Sequence, residues 1–421
     1  NIIILKQKEV KRAHSPVGDS PLRLTSMEEK RKSIVITGKP SSGKSTLISK
    51  LVKRLEMLGF QLSGVITPEM RKERTREGFY VKGIRTKKER VFAIREREIS
   101  QINEIYCKYG KYIVFPERFE EVLREEIEQK TEVFILDEVG PMELACSKNL
   151  DVKWLKEILN LPSQIVITVK KELAEKLKNI LSENFDVILK DIDKDGFDLS
   201  YITALEKLTG TEAFLIDLDG VIIDSSEFHK LSWFEVMKKR GVKFTEEDFR
   251  ETFGMTNDLI IKRFIPNATE DEIKKISQEK EEIYRNLAKG KIKPIEGADE
   301  FLEFFWSKGF KMALVSSTPK ENVDFISEEL GIGKFFDVVI SGSDISKGKP
   351  DPECYIKAIE KLKVKPSKCY VIEDSQHGIE AGLKSGAKCI GVLTTHKDLQ
   401  DTDIKVENFQ ELKSILEEVL E

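Results

Sequence analysis

Two groups of residues in this sequence have the types and spacing to handle phosphate. The first is Gly38-Lys39-Pro40-Ser41-Ser42-Gly43-Lys44-Ser45, followed by Thr46, which fits the pattern GxxxxGK[ST]. It follows the apolar run SIVIT and precedes the helical spacing of STLISKLVKRLEM, so the loop should join a strand to a helix. Glycines let backbone N–H groups turn towards phosphate oxygens, and the helix N-terminus adds partial positive charge. Lys44 is placed to reach the outer phosphates, Ser45 to ligate Mg²⁺ and Thr46 to meet the inner phosphate. A partner acid is expected on a neighbouring strand. VFIL runs into Asp137-Glu138, offering Asp137 to the Mg²⁺ shell and Glu138 to orient or deprotonate an attacking water.

The second group opens on Asp217-Leu218-Asp219-Gly220, at the end of the run AFLI. Residues two apart on a strand face the same way, but at its end their roles can diverge. Asp217 can attack phosphorus and Asp219 can move a proton. Ser316 closes KMALV, Lys349 lies in KGKPDP, and Glu373-Asp374 close KCYVI. Open α/β sheets bind ligands at the carboxyl ends of their strands, so these side chains should converge. Each of these strands thus finishes with a polar residue suited to phosphate or Mg²⁺.

The elements that must position these groups alternate β and α. That predicts an α/β fold of two doubly wound parallel-sheet domains. The first is expected over 31–190 and the second over 212–421, with a linker over 191–211. After Gly220 the strand signal fades. Stretches such as EFHKLSWFEVMKKRG and EDEIKKISQEKEEIYRNLAKG predict a helical insert over about 225–293, inside the α/β core and after its first strand. Residues 1–30 read as a flexible extension, with Met27 standing where a compact domain begins.

A 421-residue chain that is 40% hydrophobic can bury two cores. With a net charge of −4 and no long apolar run, neither nucleic acid nor membrane is an expected partner. The five cysteines, Cys107, Cys146, Cys354, Cys369 and Cys389, show no CxxC pair and no His at metal spacing. They are expected to be reduced thiols of a cytoplasmic protein. Charged residues, mostly Lys and Glu, make up 34%, as in thermophile proteins rich in surface ion pairs. The sequence leaves the oligomeric state open.

GKPSSGKSTLI, GVITPEMR, KYIVFPERFE and LDEVGPMELACS resemble the small P-loop nucleoside triphosphatases of thermophiles and animals, over about Lys32 to Lys190. Thr67, Glu69 and Arg71 match that family's T-x-E-x-R segment. Asp137, Glu138, Gly140, Met142, Glu143 and Leu144 match its D-E-x-G-x-M-E-L segment, although Pro141 stands where Lys is more usual. The resemblance implies Mg²⁺-dependent hydrolysis of ATP, GTP and other nucleoside triphosphates to diphosphates, on a fold similar to nucleotide kinases. Arg71 reads equally as a transition-state group or a surface cation.

DLDGVIIDS, VSSTP, KGKPDPECY and IEDSQHGIEAGLKSGA resemble the four motifs of the haloacid dehalogenase superfamily, from about Ala213 onwards. The similarity is greatest to its beta-phosphoglucomutase and phosphoglycolate phosphatase branch. It implies that Asp217 forms an aspartyl-phosphate, and that Asp219 is the acid/base, with its backbone carbonyl on Mg²⁺. Ser316 and Lys349 would hold the phosphoryl group, Asp374 with Glu373 would complete the Mg²⁺ site, and the insert would be a cap. His229 and Trp233 resemble the first cap helix of the mutases, or simply pack at i, i+4. Asn257 stands where the mutase pattern has an Arg for a second phosphate, which favours a phosphatase acting on a small monophosphorylated metabolite. The expected function is a bifunctional phosphate hydrolase. A mutase, a polynucleotide kinase–phosphatase and a nucleotide-gated phosphatase are the alternatives.

Overall fold

Runs of β-branched residues bounded by Gly, Pro and charge build the first sheet of the protein, here a computed structural model describing residues 30–420 except 74, 97–103, 148, 253–254 and 397. The extension expected over 1–30 lies, but for Lys30, outside the described residues. The strands are β1 (Arg31–Gly38), β2 (Leu62–Ile66), β3 (Glu69–Lys72), β4 (Thr75–Gly83), β5 (Glu89–Arg95), β6 (Cys107–Tyr109), β7 (Tyr112–Val114), β8 (Val133–Val139), β9 (Gln164–Lys170) and β10 (Phe185–Asp191). Their order is β10-β1-β9-β8-β2-β4-β5-β7-β6, with β3 on β4. From β10 to β2 the pairs are parallel. From β4 outwards they are antiparallel. The α/β expectation holds, but this sheet is mixed: β3 to β5, and β6 with β7, follow one another through short turns, which only antiparallel neighbours allow. Helices α1 (Lys44–Met57), α2 (Pro116–Ile127), α3 (Lys153–Leu159) and α4 (Lys171–Leu181) accompany the strands.

The segment expected as a linker over 191–211 carries α5 (Ile192–Asp195) and α6 (Phe197–Thr209). α6 carries apolar residues around its circumference. Tyr201, Ile202, Leu205 and Leu208 share one core with Leu47, Leu51 and Leu55 of α1 and with Phe214, Leu412 and Leu416 of the second half. Its Glu206 accepts from the fully buried Lys388 Nζ at 2.7 Å, which also donates to Gly210 O at 2.7 Å.

The second sheet, β11 (Ala213–Asp217), β12 (Lys311–Val315), β13 (Val338–Ile340), β14 (Cys369–Glu373), β15 (Lys388–Val392) and β16 (Ile404–Val406), is parallel throughout in the order β13-β12-β11-β14-β15-β16. Between β11 and β12 stand the cap helices α7 (Ser226–Lys238), α8 (Glu246–Thr252), α9 (Asn257–Phe264) and α10 (Glu270–Ala288). They close around their own core of Trp233, Val236, Met237, Ile260, Ile261 and Ile276. α10 begins at a capping box between Thr269 and Glu272. Helices α11 (Ala298–Ser307), α12 (Lys320–Leu330), α13 (Glu353–Leu362), α14 (Gln376–Lys384) and α15 (Phe409–Leu420) complete the domain. No helix among the described residues is long and apolar enough to cross a membrane.

The five-thiol expectation needs correction. Cys107 and Cys146 form a disulfide, with Cα atoms 6.1 Å apart, while Cys354, Cys369 and Cys389 are free and buried. The hairpin of β6 and β7 brings Cys107 against the loop after β8, an approach that a sequence separation of 39 does not reveal.

Candidate active sites

The phosphate loop leaves β1 at Gly38 and enters α1 at Lys44, with Gly43 (φ 101°) and Ser41 (φ 64°) in the left-handed region. A side chain at Gly43 would also press on Phe197, 3.3 Å away. Lys39, Pro40, Ser45 and Thr46 are exposed, whereas Ser42 Oγ is buried and has no hydrogen-bond partner among the described residues. Lys44 Nζ donates to Gly38 O (3.0 Å) and Lys39 O (3.1 Å), resting on the loop it would leave to meet a phosphate.

β8 delivers Asp137 to the same end of the sheet. Its Oδ1 accepts from Thr168 Oγ1 at 2.9 Å and from Ser45 Oγ at 3.4 Å. Burial, reinforced by Glu138, raises its pKa to about 6 against the hydrogen bonds from Thr168 and Ser45. A hydroxyl and a carboxylate side by side are hard oxygen donors that suit Mg²⁺. Glu138 is half-buried at φ 65°, with its N–H on Thr168 Oγ1 at 2.6 Å, a constrained backbone of the kind found at functional sites. Thr67 Oγ1 donates to Asp137 O at 3.2 Å. Arg71 pairs at 2.5 Å with Glu69, and its side chain is largely exposed. Glu143 is buried and accepts from Gly140 N–H at 3.0 Å, while Leu144 and Met142 pack into the core.

In the second half, Asp217, Ser316 and Glu373-Asp374 stand at the ends of adjacent strands β11, β12 and β14. Asp217, Glu373 and Asp374 present carboxylate oxygens within 4.8 Å of one another, a donor set that fits Mg²⁺. Lys349 Nζ bridges Asp217 Oδ1 and Glu373 Oε1, the latter at 2.5 Å. Glu373 is further engaged by Tyr355 OH at 2.6 Å and Ser375 Oγ at 3.1 Å, so it chiefly holds Lys349, while Asp217 and Asp374 have fewer commitments. Gly220 (φ 84°) passes so close to Asp374 that a Cβ there would lie 2.5 Å from its Cγ. Burial raises the pKa of Asp217 well above the usual carboxylate range. Glu373, Asp374 and Asp219 add to that rise, and Lys349 opposes it. Burial, then Glu373, lifts Asp374 to about 7.

Asp219 points away from this trio. It accepts from Ser225 Oγ (2.5 Å), Thr318 Oγ1 (2.7 Å) and Ser316 Oγ (3.5 Å), and His229 Nε2 lies 3.9 Å away. Burial works to raise its pKa, but His229, Ser225 and Thr318 outweigh it and hold the group at about 2. Its side chain is therefore separate from the carboxylates that could hold a metal.

In the cap, His229 stacks on Tyr284 with ring centroids 4.1 Å apart, and its Nδ1 lies 2.7 Å from Lys280 Nζ. Burial and then Lys280 lower its pKa, against the opposing pull of Asp219 and Glu281. Asn257 Nδ2 donates to Glu281 Oε1 at 2.7 Å, and Asn322 Nδ2, from α12 of the core, donates to Glu281 Oε2 at 2.6 Å. Trp233 lies in the cap core near Phe244 and is a packing residue. Ser225, Thr318, Tyr355 and Lys280 were not singled out in the sequence. Ser225, Thr318 and Tyr355 each stood inside a quoted motif, DLDGVIIDS, VSSTP and KGKPDPECY, whereas Lys280 lay only in a helical stretch.

Residues 33–199 match the NTPase family, and residues 214–392 match the haloacid dehalogenase-like hydrolase family. A phosphorylated carbohydrates phosphatase of Thermotoga maritima is 32% identical over 219 residues, which is 50% of this chain and 100% of that protein. Validoxylamine A 7'-phosphate phosphatase of Streptomyces hygroscopicus subsp. limoneus is 27% identical over 201 residues, 47% of this chain and 94% of that protein. Among solved structures, CbbY from Rhodobacter sphaeroides in complex with phosphate is 27% identical with a TM-score of 0.45, covering 48% of this chain and 96% of that one. By its family matches and by its 32% identity to the whole of the Thermotoga maritima phosphatase, the chain belongs to the haloacid dehalogenase-like hydrolases, carrying that domain fused behind one of the NTPase family.

Proposed function

We propose that the chain is a bifunctional phosphate hydrolase. Its first half hydrolyses ATP, GTP and other nucleoside triphosphates to diphosphates, and its second half hydrolyses the phosphomonoester of a small metabolite. The meeting of Asp217, Lys349, Glu373 and Asp374 at the carboxyl ends of the central strands, with Asp219 held apart beside Ser316, is the observation that carries the reading.

In the second half, Asp217 attacks phosphorus, and an acyl phosphate forms as the bond to the leaving oxygen breaks. The incoming phosphate is anionic and favours protonation of Asp219, which then gives that proton to the leaving oxygen. Asp219 later takes a proton from the water that cleaves the aspartyl-phosphate. Lys349 and Ser316 position the phosphoryl oxygens. In the first half, Lys44 exchanges its loop carbonyls for phosphate oxygens, backbone N–H groups of 38–46 cradle the chain of phosphates, and Glu138 orients the water. Mg²⁺, when bound by Ser45 with Asp137, or by Asp217 and Asp374 with Glu373 and the Asp219 carbonyl, offsets negative charge on the phosphates. Asn257, bonded to Glu281, offers no cation to a second phosphate, which supports a phosphatase over a mutase. The cap over the site supports a small substrate rather than a nucleic acid end.

The test uses Lys44→Ala and Asp217→Asn, assayed without cross-addition of substrates. Lys44→Ala should lose about 10²–10³ in nucleotide hydrolysis and keep basal phosphatase activity, and Asp217→Asn should do the reverse. Loss of both activities in either variant would sink the reading.

A further inference from the structure

α1 begins at the phosphate loop and ends against the second domain. Its buried Arg54 donates from Nε and Nη2 to Asp403 Oδ1 and Oδ2 at 2.8 and 2.7 Å, and from Nη2 to Ala387 O at 2.6 Å. Asp403 also accepts from Tyr201 OH (3.3 Å) on α6 and from Cys389 N–H (2.8 Å). It is the last residue before β16, and the connection from β15 that it closes starts in the phosphatase site. There Thr394 Oγ1 donates to Gly220 O and Thr395 Oγ1 to Asp374 Oδ2, with His396 Nδ1 3.8 Å from the same oxygen. The connection over 393–403, described except at residue 397, thus touches the metal-side carboxylate near its start and the phosphate-loop helix at its end.

The other end of α1 carries the group that would have to move when phosphate binds. Lys44 now sits on the carbonyls of Gly38 and Lys39 and must release both to meet phosphates. The loop is braced from behind by α5 and α6: Lys39 N–H donates to Asp193 Oδ2 at 2.9 Å, and Phe197 packs at Gly43. From Lys44 to Arg54 the helix rises about 15 Å, so movement at the loop reaches Arg54 through rigid backbone. Arg54 fixes Asp403 by a two-pronged contact that transmits displacement along with charge.

We propose that nucleotide binding at the phosphate loop resets the phosphatase site through α1, Arg54, Asp403 and the connection that carries Thr395 to Asp374. The proposal rests on the reading that the loop binds nucleotide. Coupling between sites is reciprocal, so occupation of either site changes affinity at the other by the same factor.

The experiment uses the full chain with Mg²⁺, p-nitrophenyl phosphate as phosphatase substrate and a non-hydrolysable ATP analogue, whose binding is followed by calorimetry. The analogue should change phosphatase kcat/KM by about fivefold or more, with a midpoint at its calorimetric Kd. Arg54→Lys and Asp403→Asn should keep the basal rate and shrink the effect to less than about twofold, well under the usual range of coupling. Should these lose their cooperative melt, the double variant Arg54→Met with Asp403→Leu replaces the buried pair by apolar side chains and must show the same uncoupling. Analogue binding with no change in phosphatase rate overturns the proposal, as does full coupling in a folded variant. Absence of calorimetric binding overturns the nucleotide reading itself, and the coupling with it.

Discussion

Replacing Gly220 by alanine tests how the phosphatase site is built. The residue has φ 84°, and an added Cβ would lie 2.5 Å from Asp374 Cγ and nearer still to Oδ2. Left-handed backbone at a non-glycine residue costs about 1–2 kcal/mol. To regain ordinary van der Waals separation, the Asp374 carboxylate must retreat by roughly 1 Å. It is also tied to Thr395, so the retreat takes it away from Asp217 instead of letting it slide within the cluster. A misplacement of about 1 Å at a reacting centre is worth about 10²-fold in rate. We therefore expect Gly220→Ala to lose about 100-fold in phosphatase kcat/KM and to need more Mg²⁺ for half-maximal activity, with nucleotide hydrolysis unchanged. Gly59→Ala is the control, because Gly59 has φ 83° with nothing within 4 Å of its added Cβ. It carries the backbone strain without the collision. Near-normal phosphatase activity in Gly220→Ala at limiting Mg²⁺, or an equal loss in Gly59→Ala, would refute the argument.

Two further outcomes concern the first half. Burial, then the charge of Glu138, pushes the Glu143 carboxyl from 4.5 up to about 8, against Lys170 and the Gly140 N–H. The folded state holds that proton more tightly than the unfolded chain. Stability is therefore full below about pH 4.5 and declines as pH rises towards 8. Glu143→Gln should flatten this part of the decline in urea titrations across that window, and parallel curves for the two proteins would count against it. Breaking the Cys107–Cys146 link by Cys146→Ser frees a separation of 39 residues, worth about 4 kcal/mol in the chain-entropy account. Dithiothreitol should lower the denaturation midpoint of the parent and leave Cys146→Ser unmoved. Equal sensitivity in both would show the link to be dispensable.

Much of both sites was legible because their polar residues interrupt apolar runs at strand ends. Lys44 and Asp137, and Asp217, Ser316 and Asp374, each follow a β-rich stretch and needed only a parallel sheet to bring them together. What the spacing did not carry is side-chain direction. Asp217 and Asp219 look alike in sequence, yet one faces Lys349 and the other faces Ser225 and Thr318. Glu373 reads from the sequence only as a neighbour of Asp374, and nothing in the spacing shows that Tyr355, from a different helix, shares its Oε1 with Lys349. The partnership of Cys107 with Cys146 and the burial of α6 were hidden for a related reason. Each depends on contacts between segments far apart in the chain, and α6, apolar on every side, has too little polar face to betray where it packs.

That all-round burial bears on how such a chain is inherited. A gene divided near residues 196–210 leaves Ile202, Leu205 and Leu208 stripped of one set of neighbours, whichever product keeps the helix. Either product would expose an oily stripe until several substitutions had made it polar. Fusion here behaves as a ratchet: joining two ancestral genes took one event, and separating them now takes one event plus a resurfacing. Lineages in which the halves have parted should bear that resurfacing on the helix corresponding to α6.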